Sequence, residues 1–437
     1  QWTQTGLWRT RYFRPEAAEE WNVYVNQAGR VERVAHRLPE TAPGARLPVD
    51  QARSLAETYL TDTIGLNLDA YRLVDAQTEE RPNRTDHLFV WERLHVLIGE
   101  AVPRISLVVQ GDEVSGFRRF LKLPEEWLRE FERPRLRTFL LPGVIGVLLL
   151  PLLLILIKRI SGRGAYPHLY HWRAYFTFGA VAAVLATAAM INQWPTLLAG
   201  YPTAMPLANY YGQLLIGRII LILVTGAGVF LAAFALDVFY QLAAGHRPLA
   251  APSMPRAIAI LLLLWGVGNI LAVVGQAMPG PRFSLPLWTI LGIDTYVPAI
   301  AVLNQGYVFA VTRIAAAGIA VFAFLRFVAP NRRLWLLAFL AGAVALSRGN
   351  TVLQGGYYFA AALLLAGVLL LLVKTCGVAD LLTFGLALLW LAVLDSGSEL
   401  ILQPAPLFTA NGAAAVLIAL LAGVWIVWRY RDRRIGG

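Results

Sequence analysis

Long apolar runs follow one another through the last two thirds of the chain, whereas residues 1–137 alternate between apolar and polar positions. A helix needs roughly 20 apolar residues to cross the ~30 Å hydrocarbon layer of a membrane. Nine runs come near that length, and they are 138–157, 174–191, 212–237, 257–277, 307–328, 334–348, 357–373, 377–395 and 411–428. The pattern predicts a polytopic α-helical membrane protein with about nine spans. The shortest run, 334–348, also has the length of a re-entrant segment.

The charges between the predicted spans indicate their orientation. If the N-terminal domain lies outside, each cytoplasmic loop contains arginine or lysine, and so does the tail 430–437. The acids Asp294, Asp395 and Glu399 then fall on the outer side. This positive-inside distribution predicts a cytoplasmic C-terminus. A tenth span over 285–304 would reverse the later loops, so that segment is predicted to be an outer loop or an interfacial segment.

Residues 1–137 are predicted to form a small α+β domain. The segments 21–40 and 104–127 each alternate apolar and polar positions about a glycine-containing turn, which is typical of β-hairpins. Between them, 49–65 has the periodicity of an amphipathic helix and 86–98 that of another strand. Both hairpins end in Leu-Pro-Glu, which predicts a weak internal repeat.

Composition narrows the class of partner. The chain is 57% hydrophobic and only 15% charged, against about a quarter charged for soluble domains. Its net charge of +11 is spread along the membrane borders, so we expect the lipid bilayer as a partner and not nucleic acid. Cys376 is the only cysteine, which excludes an intrachain disulfide and a cysteine cluster for a metal.

The N-terminal arrangement of hairpins and helix resembles the PepSY type of extracytoplasmic domain. The segments "GRVERVAHRLPE", "ARSLAETYL", "RPNRTDHLFVWE" and "VSGFRRFLKLPEEWLREFERPR" are similar to those of acidobacterial-type membrane proteins of the CPBP family, the CAAX-protease and bacteriocin-processing (Abi) proteins. The resemblance covers the first third of the chain well and the membrane part only in layout. It implies a bacterial inner-membrane protein and an intramembrane metalloprotease.

The chain departs from that family where catalysis would take place. The family has a Glu-Glu-x-x-Arg motif and two histidines inside membrane helices, where carboxylate and imidazole can hold a metal. Here adjacent glutamates occur only in the aqueous domain, and none of the six histidines lies in a predicted span. We therefore predict no catalytic, cofactor-binding or metal-binding residues, which favours a protein without enzymatic activity.

Two arginines inside predicted spans are the candidates for a functional site. Arg218 lies six residues into the third span, and Arg313 lies six residues into the fifth if that span begins at Tyr307. Both would lie about 9 Å below the outer edge at ~1.5 Å per residue. Long arginine side chains can extend to lipid headgroups. Alternatively, the two cations share a site, paired with one of the three outer acids or holding an anionic headgroup. The prediction favours separate contacts with headgroups.

Other polar groups near span ends are expected to be ordinary surface features. Asp237 and Asp380 lie near the predicted cytoplasmic ends and should be hydrated. The segment "DSGSELILQP", residues 395–404, has the composition of a polar turn at the outer membrane edge.

These patterns divide the chain into an extracytoplasmic PepSY-like domain (1–137), a transmembrane helical domain (138–429) and a basic cytoplasmic tail (430–437). The predicted function is a non-catalytic accessory or scaffold subunit of the bacterial inner membrane that binds other membrane or periplasmic proteins. One alternative is a divergent intramembrane protease of the CPBP type. The other is a transporter or lipid-handling protein that uses Arg218 and Arg313.

Overall fold

The computed structural model describes residues 7–26, 28–132, 149–158, 171–245, 249–277, 291–331, 352–377 and 379–435. These residues form two compact units. The first contains the N-terminal sheet domain and the segment Ala199–Leu214, and the second contains the remaining helical residues.

Seven antiparallel strands form one sheet in the first unit. They are β1 (Leu7–Phe13), β2 (Glu20–Asn26), β3 (Val31–Arg37), β4 (Tyr71–Glu80), β5 (Thr85–Arg93), β6 (Val102–Gln110) and β7 (Glu113–Lys122). Their order across the sheet is β1-β2-β3-β7-β6-β5-β4. Both predicted hairpins, β2–β3 and β6–β7, are confirmed, with Gly29 and Gly111 in the left-handed conformation at their turns.

The sequence pattern missed the two edge strands, β1 and β4. Most residues of both strands are exposed, so neither shows the strict alternation of a half-buried strand. The strand predicted at 86–98 is β5, but it ends at Arg93. His95 has a φ of 56°, a left-handed conformation that cannot continue a strand.

The predicted helix of the sheet domain is confirmed as α1 (Val49–Thr58), which continues in a π-helical turn, Tyr59–Thr63. Ala52, Ala56 and Leu60 are fully buried along one side of this segment. They pack on inward-facing residues of three neighbouring strands, namely Phe89, Trp91, Ile105, Leu107, Val109 and Phe117. One sheet face and one helix thus enclose the core of the domain.

The two hairpins meet through equivalent strands. β3 and β7 are the second strand of each hairpin, and they pair antiparallel with Val34 opposite Phe117 and Ala35 opposite Gly116. This pairing relates the hairpins by an approximate twofold axis, the arrangement that a repeated unit would give. A charged helix, α2 (Glu125–Glu132), follows β7.

Helices form the second unit, and α6 begins in the first. They are α3 (Leu149–Lys158), α4 (Trp172–Asn192), α5 (Trp194–Ala199), α6 (Leu207–Ala244), α7 (Met254–Ala277), α8 (Pro298–Ala323), α9 (Val352–Cys376), α10 (Leu381–Ile401) and α11 (Pro406–Ile435). Within the described residues, seven of these helices (all except the shorter α3 and α5) are long and apolar enough to cross a membrane. The chain is therefore a helical membrane protein with an N-terminal sheet domain.

Seven of the nine predicted spans are confirmed as long apolar helices. Of the predicted span 138–157, only 149–157 is described, within the apolar helix α3. The predicted span 334–348 lies outside the described residues.

Two predicted boundaries were wrong. α8 begins at Pro298 instead of Tyr307, so 298–304 is helical and not part of an outer loop. Proline suits the first turn of a helix because its missing N–H would have no intrahelical partner there. α10 extends to Ile401, so most of the predicted turn 395–404 is also helical. In this last part the Ser398 hydroxyl donates to the Asp395 carbonyl at 2.8 Å, which satisfies a polar side chain within the helix.

Small residues let α10 and α11 approach closely. A Cβ atom on Gly412 would lie 2.6 Å from the carbonyl oxygen of Gly397, and one on Gly423 would lie 2.5 Å from the Trp390 ring. Trp390 is buried, and its indole N–H donates to the Ala419 carbonyl at 2.9 Å. Membrane helices commonly associate through such glycine contacts, since lipid offers no hydrophobic drive for helix pairing.

Candidate functional site

A cavity of about 400 Å³ lies between α4, α6 and α8. Arg218 of α6 lines it, together with Asn304 and Gln305 of α8, and most of the other lining side chains are apolar. α6 and α8 pack closely further along, where a Cβ atom on Gly318 would lie 2.5 Å from Leu236. The cavity occupies the other half of this helix pair. Apolar walls with a few polar groups are the general character of small-molecule sites.

Three of the polar side chains that line the cavity have a group without a partner among the described residues. Arg218 makes no ion pair or hydrogen bond with any described residue. The side-chain carbonyl oxygens of Asn304 and Gln305 are buried and accept no hydrogen bond from any residue that the structure describes. Leaving a buried acceptor unsatisfied costs about 1–3 kcal/mol. These two oxygens have almost no accessible surface, so they do not open into the cavity, and Arg218 is the charged side chain that lines it.

Sequence reasoning found Arg218 but missed the two amides. It assigned 285–304 to an outer loop, which placed Asn304 and Gln305 at its end instead of inside a helix. The available signal was a pair of amide side chains in the otherwise apolar run that follows Pro298. Polar residues within membrane helices commonly face a protein interior or a cavity.

Arg313 lies next to the cavity and does not line it. Its guanidinium carbon is 5.0 Å from the centroid of the Phe309 ring, and Phe309 is a lining residue. Arg313 lies about 22 Å along α8 from Pro298 at ~1.5 Å per residue. The predicted depth of about 9 Å was counted from a span that begins at Tyr307, whereas the helix begins at Pro298. The depth itself stays a prediction.

The three acids considered as partners lie elsewhere. The carboxylate of Asp294 accepts a hydrogen bond from the Thr196 hydroxyl at 2.9 Å. Asp395 and Glu399 are residues of the last turns of α10. No ion pair joins any of these acids to Arg218 or Arg313 among the residues that the structure describes.

A second polar cluster joins the start of α7 to the start of α10. The Arg256 guanidinium donates to the Asp380 carboxylate at 2.6 Å, and the Thr383 hydroxyl donates to the other carboxylate oxygen. Asp380 is fully buried, so the expectation of a hydrated side chain was wrong. An ionised carboxylate is stable there because it is paired and hydrogen-bonded.

A third cluster surrounds Asp237 near the end of α6. The Tyr175 hydroxyl and the Gln241 amide donate to its carboxylate, and the His171 ring lies 3.1 Å from the same oxygen. The side chain of Asp237 is only 14% exposed, so the expectation of hydration was wrong here too.

A partly buried arginine contacts the last residue of α5 and the segment that follows it within the first unit. Arg11 of β1 donates to the backbone carbonyls of Ala199 and Tyr201 and also binds the carboxylate of Glu20. The Tyr201 ring is fully buried and lies 5.5 Å from the Phe13 ring. Charge and aromatic packing therefore act together at this contact.

The electrostatics of Glu20 follow from this contact. Burial by itself raises the pKa of the Glu20 carboxyl, but the hydrogen bonds and charge of Arg11 outweigh burial, with help from Asn22 and Arg37. The net effect is a pKa below the ordinary value for glutamate. The ionised carboxylate is therefore part of the folded arrangement.

Comparisons with known proteins identify no family for this chain. No protein-family model matches the chain, and no curated protein or solved structure matches it either. Within the described ranges there is also no group of three or more His, Cys, Asp or Glu side chains that could hold a metal. The Arg218 cavity is the arrangement in the second unit on which we base a functional proposal.

Proposed function

We propose that the protein binds the anionic group of a membrane amphiphile in the Arg218 cavity and acts in lipid handling. The observation that carries this proposal is a cation without an acidic partner among the described residues, lining a cavity in an apolar helix bundle. An arginine at the centre of a membrane helix costs about 2.5–3.5 kcal/mol on insertion scales, and Arg218, nearer the start of α6, carries part of that cost. A bound phosphate or carboxylate would offset that cost through charge-assisted hydrogen bonds.

Arg313 would assist from outside the cavity. Its position over Phe309 puts a second positive charge beside the lining without closing the space. The cation–π contact stabilises the guanidinium by about 0.5–2 kcal/mol and fixes its place. An anion approaching Arg218 would therefore meet two cations, one lining the cavity and one behind a lining ring.

Retained lipid offers a direct test of this function. The wild type, purified in mild detergent, should keep an anionic lipid that is detected by mass spectrometry of the extract, and Arg218→Gln should lose it. Arg326→Gln is a matched control, because Arg326 is an exposed arginine that stacks on Phe327 beyond the end of α8. Equal lipid in all three preparations would contradict the proposal.

Contacts between helix ends support nine membrane crossings. Arg256 at the start of α7 bonds Asp380 at the start of α10, and groups in contact lie on the same side of the membrane. An even number of crossings must therefore separate them, yet α7, α8 and α9 supply three. The N–H of Ala299, at the start of α8, likewise donates to the Asn411 side chain near the start of α11. Three long helices, α8, α9 and α10, again separate these two residues along the chain. Both contacts support a further crossing by 334–348 and disfavour a re-entrant segment there.

For the first predicted span, the described part 149–157 lies within the apolar helix α3. The proposed topology adopts the sequence-based prediction that 138–157 crosses the membrane. With the positive-inside distribution, the proposed topology has an extracytoplasmic sheet domain, nine spans and a cytoplasmic C-terminus in a bacterial inner membrane.

Cysteine labelling can test the crossing by 334–348. In a Cys376→Ser background, single cysteines at Ala329 and Val352 should react with a membrane-impermeant maleimide from opposite sides. Labelling of both from one side would contradict the nine-span topology. The accessory-subunit hypothesis stays a prediction and requires co-purification with other membrane or periplasmic proteins. The divergent protease also stays a prediction.

A further inference from the structure

The face of the sheet opposite α1 carries a row of arginines. In the antiparallel register Tyr24 of β2 lies opposite Arg33 of β3, and Arg33 lies opposite Arg118 of β7. Phe117 points into the core on the α1 side, so its neighbour Arg118 points to the other face, because successive residues of a strand alternate. Arg9 of β1, opposite Tyr24, extends the row to the edge of the sheet. We call Arg9, Tyr24, Arg33 and Arg118 the arginine row.

The two central arginines of the row have no acidic partner. Arg33 and Arg118 are exposed, and neither makes an ion pair or a side-chain hydrogen bond with any described residue. Side chains directly opposite each other have Cβ atoms about 4.5–5.5 Å apart, where like charges repel. Each guanidinium stacks on a ring instead, at 5.1 Å from the Tyr24 centroid for Arg33 and 5.3 Å from the Phe120 centroid for Arg118. The stacking positions both cations without using their N–H donors.

Acids of the same face do not neutralise these two cations. Glu20 and Glu92 are ion-paired with other arginines of the face, Arg11 and Arg104. Asp75, at the far end of the same row in β4, is three strands away from β7, which is about 14 Å at ~4.8 Å per strand. The centre of this face therefore has a positive charge that no described residue compensates.

The arginine row begins at the border of the membrane. Arg11, on the same side of β1 as Arg9, donates to the backbone carbonyls of Ala199 and Tyr201. Residues 199–206 lie between α4 and α6, two helices long enough to cross a membrane, and irregular backbone that joins such helices lies outside the hydrocarbon. At ~4.8 Å per strand, β3 and β7 lie about 10 and 14 Å across the sheet from this contact.

We propose that this face of the sheet binds the headgroups of anionic phospholipids at the membrane surface. Guanidinium groups bind phosphate oxygens through paired N–H donors, and a net negative headgroup between Arg33 and Arg118 removes their mutual repulsion. A lipid fits better than an acidic protein, because the row starts where the chain meets the membrane. The inference is independent of the Arg218 cavity, which belongs to the second unit.

The enrichment of anionic lipid at this face can be measured on the full chain in phosphatidylcholine nanodiscs. A fluorophore is attached to Ala35→Cys in a Cys376→Ser background, since Ala35 points to the same face as Arg33. The nanodiscs contain a small fraction of a quencher, which is phosphatidylglycerol or phosphatidylcholine with a nitroxide at the top of one acyl chain. Phosphatidylglycerol should quench about thirtyfold better, at about fivefold for each arginine near an anionic surface.

Matched positions and variants show whether the two arginines cause the preference. A fluorophore at Ser54→Cys, exposed on α1 at the other side of the sheet, should show no preference. Arg33→Gln and Arg118→Gln should each lower the ratio to about fivefold, and the double variant should abolish it. The ratio should not change in Arg46→Gln/Arg53→Gln, which removes the same charge from exposed arginines outside the sheet.

Equal quenching by the two lipids at Ala35→Cys would overturn this proposal, and so would a preference that survives in the double variant. A preference as large at Ser54→Cys would show a general charge effect and would also overturn it. If the lipids quench equally and an acidic polypeptide co-purifies with the wild type but not with the double variant, the face binds protein instead of lipid. Arg218→Gln should leave the ratio unchanged, so this proposal and the proposed function fail separately.

Discussion

Replacing Arg11 by glutamine should loosen the segment that follows α5 within the first unit. The side chains of Arg11 and Glu20 are 10% and 9% exposed, so this is a buried ion pair and not a surface one. Arg11 also donates to the carbonyls of Ala199 and Tyr201. Glutamine cannot make this set of contacts, since it carries no charge and has one amide in place of a five-donor guanidinium.

The expected magnitude follows from what the substitution leaves behind. Breaking a buried ion pair by removing one partner costs about 3–5 kcal/mol, because the remaining charge is buried without compensation. Glu20 would be that charge, and two carbonyls would also lose a donor. Some compensation by water is expected at this partly accessible edge, so we take the lower end, about 3 kcal/mol. At 1.4 kcal/mol per factor of ten, this is about a hundredfold in the local opening equilibrium.

Hydrogen exchange followed by mass spectrometry on the full chain in nanodiscs measures this opening directly. Peptides that cover 199–206 should exchange about a hundredfold faster in Arg11→Gln than in the wild type. Arg9→Gln is the matched control, because Arg9 lies on the same strand and bonds only the Asn22 side chain among the contacts described for it. If Arg11→Gln and Arg9→Gln exchange alike, the argument that Arg11 holds this segment is refuted.

Three further predictions concern stability. Because the pKa of Glu20 is lowered on folding, the contribution of its carboxylate to stability is present above the unfolded pKa of about 4.5 and is lost as the pH falls through the folded pKa. The protection of 199–206 from hydrogen exchange, corrected for the intrinsic exchange rate, should therefore fall in that acidic window in the wild type. The Glu20→Gln variant should not show this fall. Trp390→Ala should cost about 3–5 kcal/mol in a denaturation assay, whereas Trp425→Ala, at a site 55% exposed, should cost far less. Gly412→Val should lower the melting temperature through its clash with α10, whereas Gly228→Ala should not, because nothing lies within 4 Å of the added methyl.

The sequence predicted the elements whose pattern comes from burial on one side. The hairpins β2–β3 and β6–β7 alternate because one face packs on α1, and α1 itself is amphipathic for the same reason. The edge strands β1 and β4 were not predicted, because most of their residues are exposed and the alternation of apolar and polar positions is lost. Several helix ends in the second unit were predicted at the wrong residue. Hydropathy indicates which residues contact lipid, and it does not indicate where the hydrogen bonding of the helix begins. α8, which starts at Pro298, is the largest example.

The site was predictable only in part. Arg218 stood out because a cation in an apolar run is visible from the sequence alone. Asn304 and Gln305 became functional candidates only when their helix and the cavity were known. The partners of Asp380 and Asp237 could not be predicted either, because they come from helices distant in the sequence, and both acids were wrongly expected to be hydrated.

The contrast between these acids and Arg218 is the strongest argument for a ligand. The chain satisfies Asp380 with Arg256 and a threonine hydroxyl, and it surrounds Asp237 with a tyrosine, a glutamine and a histidine. Bundles that bury charge in this way leave few polar groups unpaired, because each one costs free energy of folding. Arg218 departs from that rule, because it lines a cavity and has no ion pair or hydrogen bond among the described residues. A bound anion would give Arg218 the kind of partner that the chain itself supplies to Asp380 and Asp237.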